Sequence, residues 1–334
     1  MHMSPKASEP RARSHRRLGR GVTLIELMVA LAVGLTVVLA ATGAFLPARK
    51  LFDANADIQQ VQDTMRYARY VVQNVVRQAG YADYAVDGQA DGLGLGAGTA
   101  ALAGASSDPT HLTVFGATNT SVPGTSDGIG VHGSDPVGAN DSLLVRFFGR
   151  SAFDRDAPDG TMVDCLGQPV AGPGVASPGA ARAWSFFYVA RAADGEPELY
   201  CKRRVVHAGA ADSFQSQPIA RGVEKFKVVF GYDVDGDSVP ERWVDAQAID
   251  AQAGAAGVPV ATEWRKVVAL RVGLVVRGAR PHADLRQTGT PVAALAPLGA
   301  AFGGGVSFHP PDDGRFRLTT SFTLMLRNVM KEPS

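Results

Sequence analysis

Four acidic side chains fall within the short stretch YDVDGDSVPERW: Asp233, Asp235, Asp237 and Glu241. Carboxylate oxygens spaced along a tight loop are the ligands that Ca²⁺ prefers, so the spacing indicates a calcium site. The stretch is not an EF-hand, because Ser238 stands at the position that needs glycine and Val244 at that of the bidentate glutamate. A polar hairpin turn between two strands, which Asp-Gly also favours, is the alternative.

The two cysteines of the chain, Cys165 and Cys201, are a second candidate pair. In an exported domain we expect them to form a disulfide, worth about 3–4.7 kcal/mol on chain-entropy grounds. Two buried thiols are the alternative in a reducing compartment. A metal site that adds His207 is a further alternative, less simple than a disulfide beside an unrelated surface histidine.

Motifs for catalysis or for nucleic-acid binding are not supported by their surroundings. The segment GTSDG (124–128) matches the G-x-S-x-G pattern, but loop-like residues flank it where a strand and a helix are required. The seven histidines are scattered, without zinc-ligand spacing. The one basic cluster directly precedes an apolar segment, which argues against nucleic acid. We therefore predict that the protein is not an enzyme. Calcium is the one cofactor that the sequence suggests.

The apolar segment contains an acid. From Val22 to Leu46 the only strongly polar side chain is Glu26, and a helix of this length spans ~37 Å, enough to cross a bilayer. Residues 1–21 carry a net charge of +5, which predicts a cytoplasmic N-terminus. A carboxylate at the centre of a membrane helix costs about 2.5–3.5 kcal/mol, so we expect Glu26 to have a use. A plain signal anchor is the alternative, and it leaves Glu26 unexplained.

The residues GVTLIEL (21–27) resemble the class III signal of type IV prepilins and type II secretion pseudopilins. The resemblance implies that a prepilin peptidase cuts between Gly21 and Val22 and methylates the new N-terminal amine, although the family usually has Phe at that position. Glu26 then lies four residues from the new end. In a low dielectric, the ammonium of a neighbouring subunit can neutralise its carboxylate, so we interpret Glu26 as an assembly determinant.

A second helical pattern follows Pro47. Apolar or small residues recur at steps of three and four, which predicts one buried helix face, and Gly80 is a natural stop. The members of this stripe are Ile58, Val61, Met65, Ala68, Val72, Val75 and Ala79. The expected organisation is a basic leader (1–21), a long helix (22–80, with 22–46 transmembrane and 47–80 amphipathic), a Gly/Ala-rich loop region (81–140) and an antiparallel sheet domain (141–330).

Strand-like segments fill the last of these regions. They are 141–148, 184–192, 198–206, 223–234, 242–249, 264–278 and 314–328, of which the last alternates clearly between apolar and polar residues. One further strand-like piece, HLTVFGAT (111–118), lies in the loop region. The predicted fold is α+β, with the long helix against an antiparallel sheet. The segment NVVRQAGYADY (74–84) and the tail TTSFTLMLRN (319–328) resemble the corresponding parts of PilW-type minor pilins.

That resemblance implies a structural subunit that helps to prime type IV pilus assembly and lies at or near the pilus tip. The implied partners are other minor pilins, the major pilin, the prepilin peptidase, the inner-membrane assembly platform and a tip adhesin. The implied location is the inner membrane in a single pass, with the C-terminal domain periplasmic, and then the pilus. Related minor pilins include calcium binders. The alternatives are a type II secretion minor pseudopilin of the J type, which is usually much shorter, and a membrane-anchored periplasmic enzyme.

Overall fold

The structure of this chain is a computed structural model. It describes residues 21–81, 112–125, 128–135, 138–152, 157–172, 182–205, 207, 212–282, 292–302 and 306–328. Two units make up the chain, residues 1–54 and residues 55–334. The long helix α1, Leu24–Arg77, begins in the first unit and ends in the second.

The first unit contributes an exposed apolar helix. Every side chain from Gly21 to Phe52 is exposed, and the helix continues through Pro47. By length and composition, α1 is able to cross a membrane. Its two interior threonines do not oppose this, because the hydroxyl of Thr36 donates to Ala32 O and that of Thr42 to Val38 O, both at 2.7 Å.

In the second unit, α1 buries one face. Five of the seven residues in the predicted stripe are buried and the other two, Ile58 and Met65, are partly buried. Val71 and Val76 are buried as well, which widens the apolar face beyond the predicted stripe. This face joins a core that contains residues of both β-sheets, so the helix is held mainly by burial of apolar area.

Nine strands lie in the described residues: β1 (Val114–Ala117), β2 (Ser142–Phe147), β3 (Ala183–Arg191), β4 (Pro197–Val205), β5 (Ser213–Arg221), β6 (Val223–Tyr232), β7 (Arg242–Val244), β8 (Val267–Pro281) and β9 (Arg315–Met325). They form two antiparallel sheets. The first has the order β1-β2-β3-β4-β5, and the second has the order β7-β6-β8-β9. The predicted antiparallel architecture is confirmed.

A single glycine joins the two sheets. Gly222 separates β5 from β6 and has φ +82°, a backbone conformation that other residues rarely adopt. Its N–H donates to Pro197 O in the first sheet, and its carbonyl accepts from Arg277 N in the second, both at 2.8 Å. A Cβ atom here would lie 2.6 Å from Arg277 O. Only glycine therefore fits this sheet-to-sheet corner without a shift of the backbone.

The C-terminal end of α1 meets the tail of the chain. Gly80 has φ +70° and ends the helix, and its N–H donates to Arg146 O of β2 at 3.0 Å. The side-chain amide of Asn328 donates to the carbonyl of Ala79 at 3.2 Å, which satisfies one of the carbonyls that a helix end leaves open. The two segments that resemble PilW-type chains thus contact each other.

Two parts of the predicted secondary structure are wrong. The segment 242–249 is a strand only as far as Val244. Helix α2, Ala246–Ala256, follows, and the side chain of Asp245 caps it by accepting a hydrogen bond from Ala248 N at 2.8 Å. The short helix α3, Val260–Trp264, follows. Strand β5 was not predicted, because its side chains are mostly exposed and polar and it contains Pro218.

Candidate assembly segment and candidate metal centre

The start of α1 holds Glu26 by a reciprocal pair of hydrogen bonds. The Thr23 N–H donates to Glu26 Oε2 at 2.9 Å, and the Thr23 hydroxyl lies 3.1 Å from the same oxygen. In return, the Glu26 N–H donates to Thr23 Oγ1 at 3.3 Å. This is a capping box, in which Thr23 is the N-cap and Glu26 the third helical residue. The sequence signal for it, Thr-x-x-Glu, was present but not used in the sequence analysis.

The predicted cleavage site lies just before this cap. Gly21, Val22 and Thr23 precede the first helical residue, Leu24, and are exposed. A Cβ atom on Gly21 would meet none of the described atoms within 4 Å. The peptide bond between Gly21 and Val22 is therefore in non-helical, accessible backbone, which is the form that a peptidase can bind. Residues 1–20 lie outside the described residues.

The four predicted calcium ligands come together in one loop. Residues 233–241 connect β6 to β7, where Tyr232 pairs with Arg242, so the alternative of a hairpin connection also describes the backbone. One carboxylate oxygen from each acid lies within 4.8 Å of those of the others. Asp233 is buried, whereas the other three acids are exposed.

Backbone amides orient these carboxylates. The two oxygens of Asp233 accept from Gly236 N at 2.6 Å and Ser238 N at 2.8 Å. Glu241 Oε2 accepts from Val234 N, also at 2.6 Å. A carboxylate offers about four lone-pair sites, so each group retains capacity for a cation.

Charge and donor type in this loop suit a hard cation. None of the four acids has a described Lys or Arg within ion-pair distance, so their negative charges are not compensated by the described residues. Ser238, at the position where an EF-hand needs glycine, has φ +71° and so takes the left-handed conformation without being glycine. The donor set of carboxylate oxygens fits Ca²⁺, and Asp233, Asp235, Asp237 and Glu241 are the residues that would hold it.

The cysteines lie together in the second unit. Cys165 and Cys201 form a disulfide with a Cα–Cα distance of 5.9 Å, and both are buried. Cys201 is in β4, and the bond attaches the loop around Cys165 to the first sheet. His207 takes no part, since its Nε2 is 2.9 Å from Ser213 Oγ. The alternative metal site with His207 is not formed.

The G-x-S-x-G segment shows no catalytic arrangement in its described residues. Ser126 lies outside the described residues. Of its neighbours, Gly124 accepts a hydrogen bond from the Ser216 hydroxyl at 2.6 Å, which attaches the loop to β5. The flanking residues that the structure describes are not a strand followed by a helix.

A buried acid on α1 was missed by the sequence analysis. Asp57 is 4% exposed and accepts a hydrogen bond from Ala279 N at 3.2 Å, and His282 Nε2 lies 3.3 Å from its other oxygen. Gly278 makes room for this carboxylate, because a Cβ atom there would overlap with it. The sequence does indicate this position, because Asp57 lies four residues before Val61 and a spacing of four places both residues on the same, buried face of the helix.

Comparison with known proteins gives two family matches. Residues 186–328 match the model of type IV pilus-assembly protein W, PilW, and residues 16–42 match the prokaryotic N-terminal methylation motif. No curated protein matches the chain significantly. Among solved structures, a type IV-like pilin from Thermus thermophilus matches with 17% identity and a TM-score of 0.30, covering 74% of this chain and 100% of that one.

The chain is thus similar to PilW-type pilus-assembly proteins from β3 to the tail after β9, and to N-terminally methylated prokaryotic proteins at the start of α1. The long N-terminal helix and the antiparallel sheets are the architecture expected from the sequence. Residues 186–328 are the region similar to PilW, and residues 16–42, which match the N-terminal methylation motif, include Gly21, Val22 and Glu26.

Proposed function

We propose that this chain is a minor pilin, a structural subunit that helps to prime type IV pilus assembly and lies at or near the pilus tip. One observation carries the proposal: a match to the N-terminal methylation motif on an exposed apolar helix and a region similar to PilW occur in the same chain. Such a subunit acts through non-covalent contacts. These are packing of the apolar helices, pairing of charges between subunits, and contacts of the sheet surfaces with partners.

In this proposal, the chain inserts in the inner membrane with its N-terminus in the cytoplasm and its sheet domain in the periplasm. A prepilin peptidase cuts between Gly21 and Val22 and methylates the Val22 amine. The assembly platform then moves the subunit into a filament with other minor pilins and the major pilin, and a tip adhesin joins them. The position of the Gly21–Val22 bond, outside the helix and exposed, supports this order of steps.

Glu26 is proposed to select correctly docked neighbours. Its carboxylate lies in a segment whose other side chains are apolar, apart from threonines that bond to the backbone or to Glu26 itself. In such surroundings an uncompensated charge is penalised, and the ammonium of a neighbouring Val22 would compensate it. The hydrogen bonds from Thr23 hold the carboxylate at the end of the helix, near the level where the new N-terminus forms.

Calcium binding by the loop 233–241 is proposed as a supporting property. When bound, Ca²⁺ would compensate two of the four negative charges and hold the β6–β7 connection in one conformation. This would fix a surface of the region similar to PilW for contact with a partner subunit.

Deletion of the gene tests the proposal. We expect fewer surface pili, counted by electron microscopy, with recovery on expression of the wild-type chain and none with Glu26→Ala. Immunogold labelling of the complemented strain should place the chain at pilus ends. Normal pili together with reduced export of type II secretion substrates would instead identify a pseudopilin. Affinity capture of the membrane form, with partners identified by mass spectrometry, should recover other pilins.

A further inference from the structure

A cavity of about 200 Å³ lies in the second unit. Its wall comes from the residues after β1, the residues before β2, the first half of β6, the cap of α2, and two segments around residues 297 and 307. None of the four acids of the loop 233–241 lines it, so it is separate from the candidate metal centre.

A saturated ion pair forms one side of the cavity. Lys227 is buried and donates to Asp141 Oδ1 at 2.6 Å, to Asn119 Oδ1 at 2.9 Å and to Ala139 O at 3.3 Å. Asp141 also accepts from the backbone amides of Asn119 at 3.0 Å and Val228 at 2.9 Å. All three protons of the Lys227 ammonium are therefore in use, and this pair has little left to offer a ligand.

Lys225 is different. It is partly buried and donates to Gly138 O, and its Nζ lies 4.8 Å from the centre of the Phe308 ring. No described carboxylate is within ion-pair distance of it. An ammonium has three donors, so two remain without a partner among the described residues, at the wall of a cavity. Burial, and then the charge of Lys227, lower the pKa of Lys225, as expected for an ammonium that lacks an anion.

The backbone around the cavity is strained. Asn119 has φ +50° and Ala139 has φ +47°, and both line the cavity. Only one other described non-glycine residue, Ser238, has a positive φ. A left-handed alanine is disfavoured by contact of its Cβ with the backbone, and such residues concentrate at binding sites. Here the two conformations present the Asn119 amide and the Ala139 carbonyl to Lys227.

The rest of the lining selects the kind of ligand. Pro297, Leu298, Val306 and Phe308 supply an apolar wall. The lining has two lysines and two aspartates, Asp141 and Asp245, and Asp141 is already paired. The charges of this lining sum to zero, so the aspartates would repel a multiply charged anion such as phosphate, whereas a singly charged group can still accept hydrogen bonds from the Lys225 ammonium.

We propose that this cavity binds a small organic carboxylate, with the carboxylate on the Lys225 ammonium and an aliphatic part against Leu298 and Phe308. The same chemistry has two sources, a free short-chain acid and the C-terminal carboxylate of a peptide. The proposal does not depend on the pilin function, since it concerns only residues of the second unit that line the cavity.

The test uses the full chain in detergent micelles and saturation-transfer NMR with four probes. They are isovalerate and its neutral counterpart isovaleramide, and acetyl-Gly-Leu as the free acid and as the C-terminal amide. We expect the acids to bind and the amides to bind at least about tenfold more weakly, which is the range of a hydrogen bond to a charged group. Binding of isovalerate identifies a free acid as the source, and binding of the peptide acid alone identifies a chain end.

Variants connect binding to the cavity. Lys225→Met keeps the aliphatic stem and should lose about tenfold or more in affinity for the acids, whereas Lys225→Arg should retain it. Arg327→Gln is the matched control, because it removes a positive charge at an exposed position outside the cavity. Circular dichroism melts show whether Lys225→Met remains folded; if it does not, the acid-to-amide comparison on the wild type decides. Equal binding of acids and amides, no binding of any probe, or an equal loss in Arg327→Gln would overturn the proposal.

Discussion

Thr23 and Glu26 hydrogen-bond to each other in both directions across the first turn of α1, with Glu26 Oε2 2.9 Å from Thr23 N and Thr23 Oγ1 3.3 Å from Glu26 N. The acid that the sequence analysis assigned to contacts between subunits therefore also has a partner in its own chain. The two roles are compatible, because a capping carboxylate keeps lone pairs for a second donor.

Removal of the Thr23 hydroxyl should weaken the start of the helix. We expect Thr23→Val to cost about 1 kcal/mol of local helix stability, since loss of an N-cap hydroxyl typically costs this much. Hydrogen exchange of the amides of residues 23–27 in micelles measures it, and their protection should fall. Thr23→Ser keeps the hydroxyl and is the control. Equal protection in Thr23→Val and Thr23→Ser would show that the hydroxyl contributes nothing.

Gly21→Ala should block processing. A Cβ atom at position 21 would meet none of the described atoms within 4 Å, so we expect an effect to arise in the peptidase and not from misfolding. In cells with an active prepilin peptidase, mass spectrometry should find the unprocessed precursor. Gly19→Ala, two residues earlier in the leader, is the matched control and should be processed normally. Processing of Gly21→Ala to the wild-type mature mass would rule out cleavage at Gly21.

Glu26 substitutions should separate the capping role from the charge. Glu26→Gln can still accept the hydrogen bonds of Thr23 but cannot neutralise a neighbouring ammonium, whereas Glu26→Ala loses both. We expect both variants to be processed and inserted, and both to be recovered from sheared pili at least about tenfold less than the wild type, a loss of about 1.4 kcal/mol in assembly. If Glu26→Gln assembles like the wild type, the cap and not the charge is what matters.

Calcium should stabilise the second unit through the loop 233–241. A ligand present at 100 times its dissociation constant stabilises a folded protein by about 2.7 kcal/mol, so the thermal midpoint should rise on addition of Ca²⁺. The rise should be much smaller in Glu241→Gln and in Asp235→Asn. Asp63→Asn, at an exposed position on α1, is the matched control and should respond like the wild type. An unchanged wild-type midpoint at millimolar Ca²⁺ would exclude the site.

Acid should loosen the contact between the β3–β4 turn and the second sheet. Glu196 lies 2.7 Å from Arg277 and 2.9 Å from Arg315, and Asp313 lies 2.8 Å from Arg317. Burial raises the pKa of both carboxyls, but the hydrogen bonds of these arginines outweigh it and hold both pKa values below the ordinary range.

The pH dependence follows from the direction of these shifts. A carboxyl with a lowered folded pKa binds fewer protons in the folded than in the unfolded state, so its stabilisation is complete above its unfolded pKa of about 4 and is lost as the pH falls through the folded value. Urea unfolding at pH 7, 4 and 3 should show this loss in the wild type. Glu196→Gln should be less stable at pH 7 and lose less on acidification. If Glu196→Gln lost as much stability on acidification as the wild type does, the assignment of this pH dependence to Glu196 would be wrong.

The long helix and the strongly alternating strands could be predicted because their patterns are local. The stripe from Ile58 to Ala79 repeats at the helical period, and β9 alternates at the strand period. Helix α2 also carried local signals, the cap Asp245 and the stop Gly257, but its alanine-rich residues continue directly from β7 and were assigned to that strand.

Features made by distant segments could not be predicted. Nothing near Lys225 in the sequence indicates Phe308, and nothing near Asp57 indicates Gly278, because these contacts exist only after the sheets have formed. The loop of four acids is the exception among the candidate sites. Its ligands are adjacent in sequence, so the spacing alone was enough to propose it.

If the sheet domain is exported as proposed, the hydrogen bond from Asn328 to Ala79 sets an order of events. Asn328 is synthesised 249 residues after Ala79, and it supplies a donor to the carbonyl end of α1. The carbonyl of Ala79 therefore lacks this donor until almost all of the sheet domain has crossed the membrane. A subunit halted during translocation would expose the apolar face of residues 61–76 and would become a substrate for periplasmic chaperones and proteases. A complete subunit would keep this face buried.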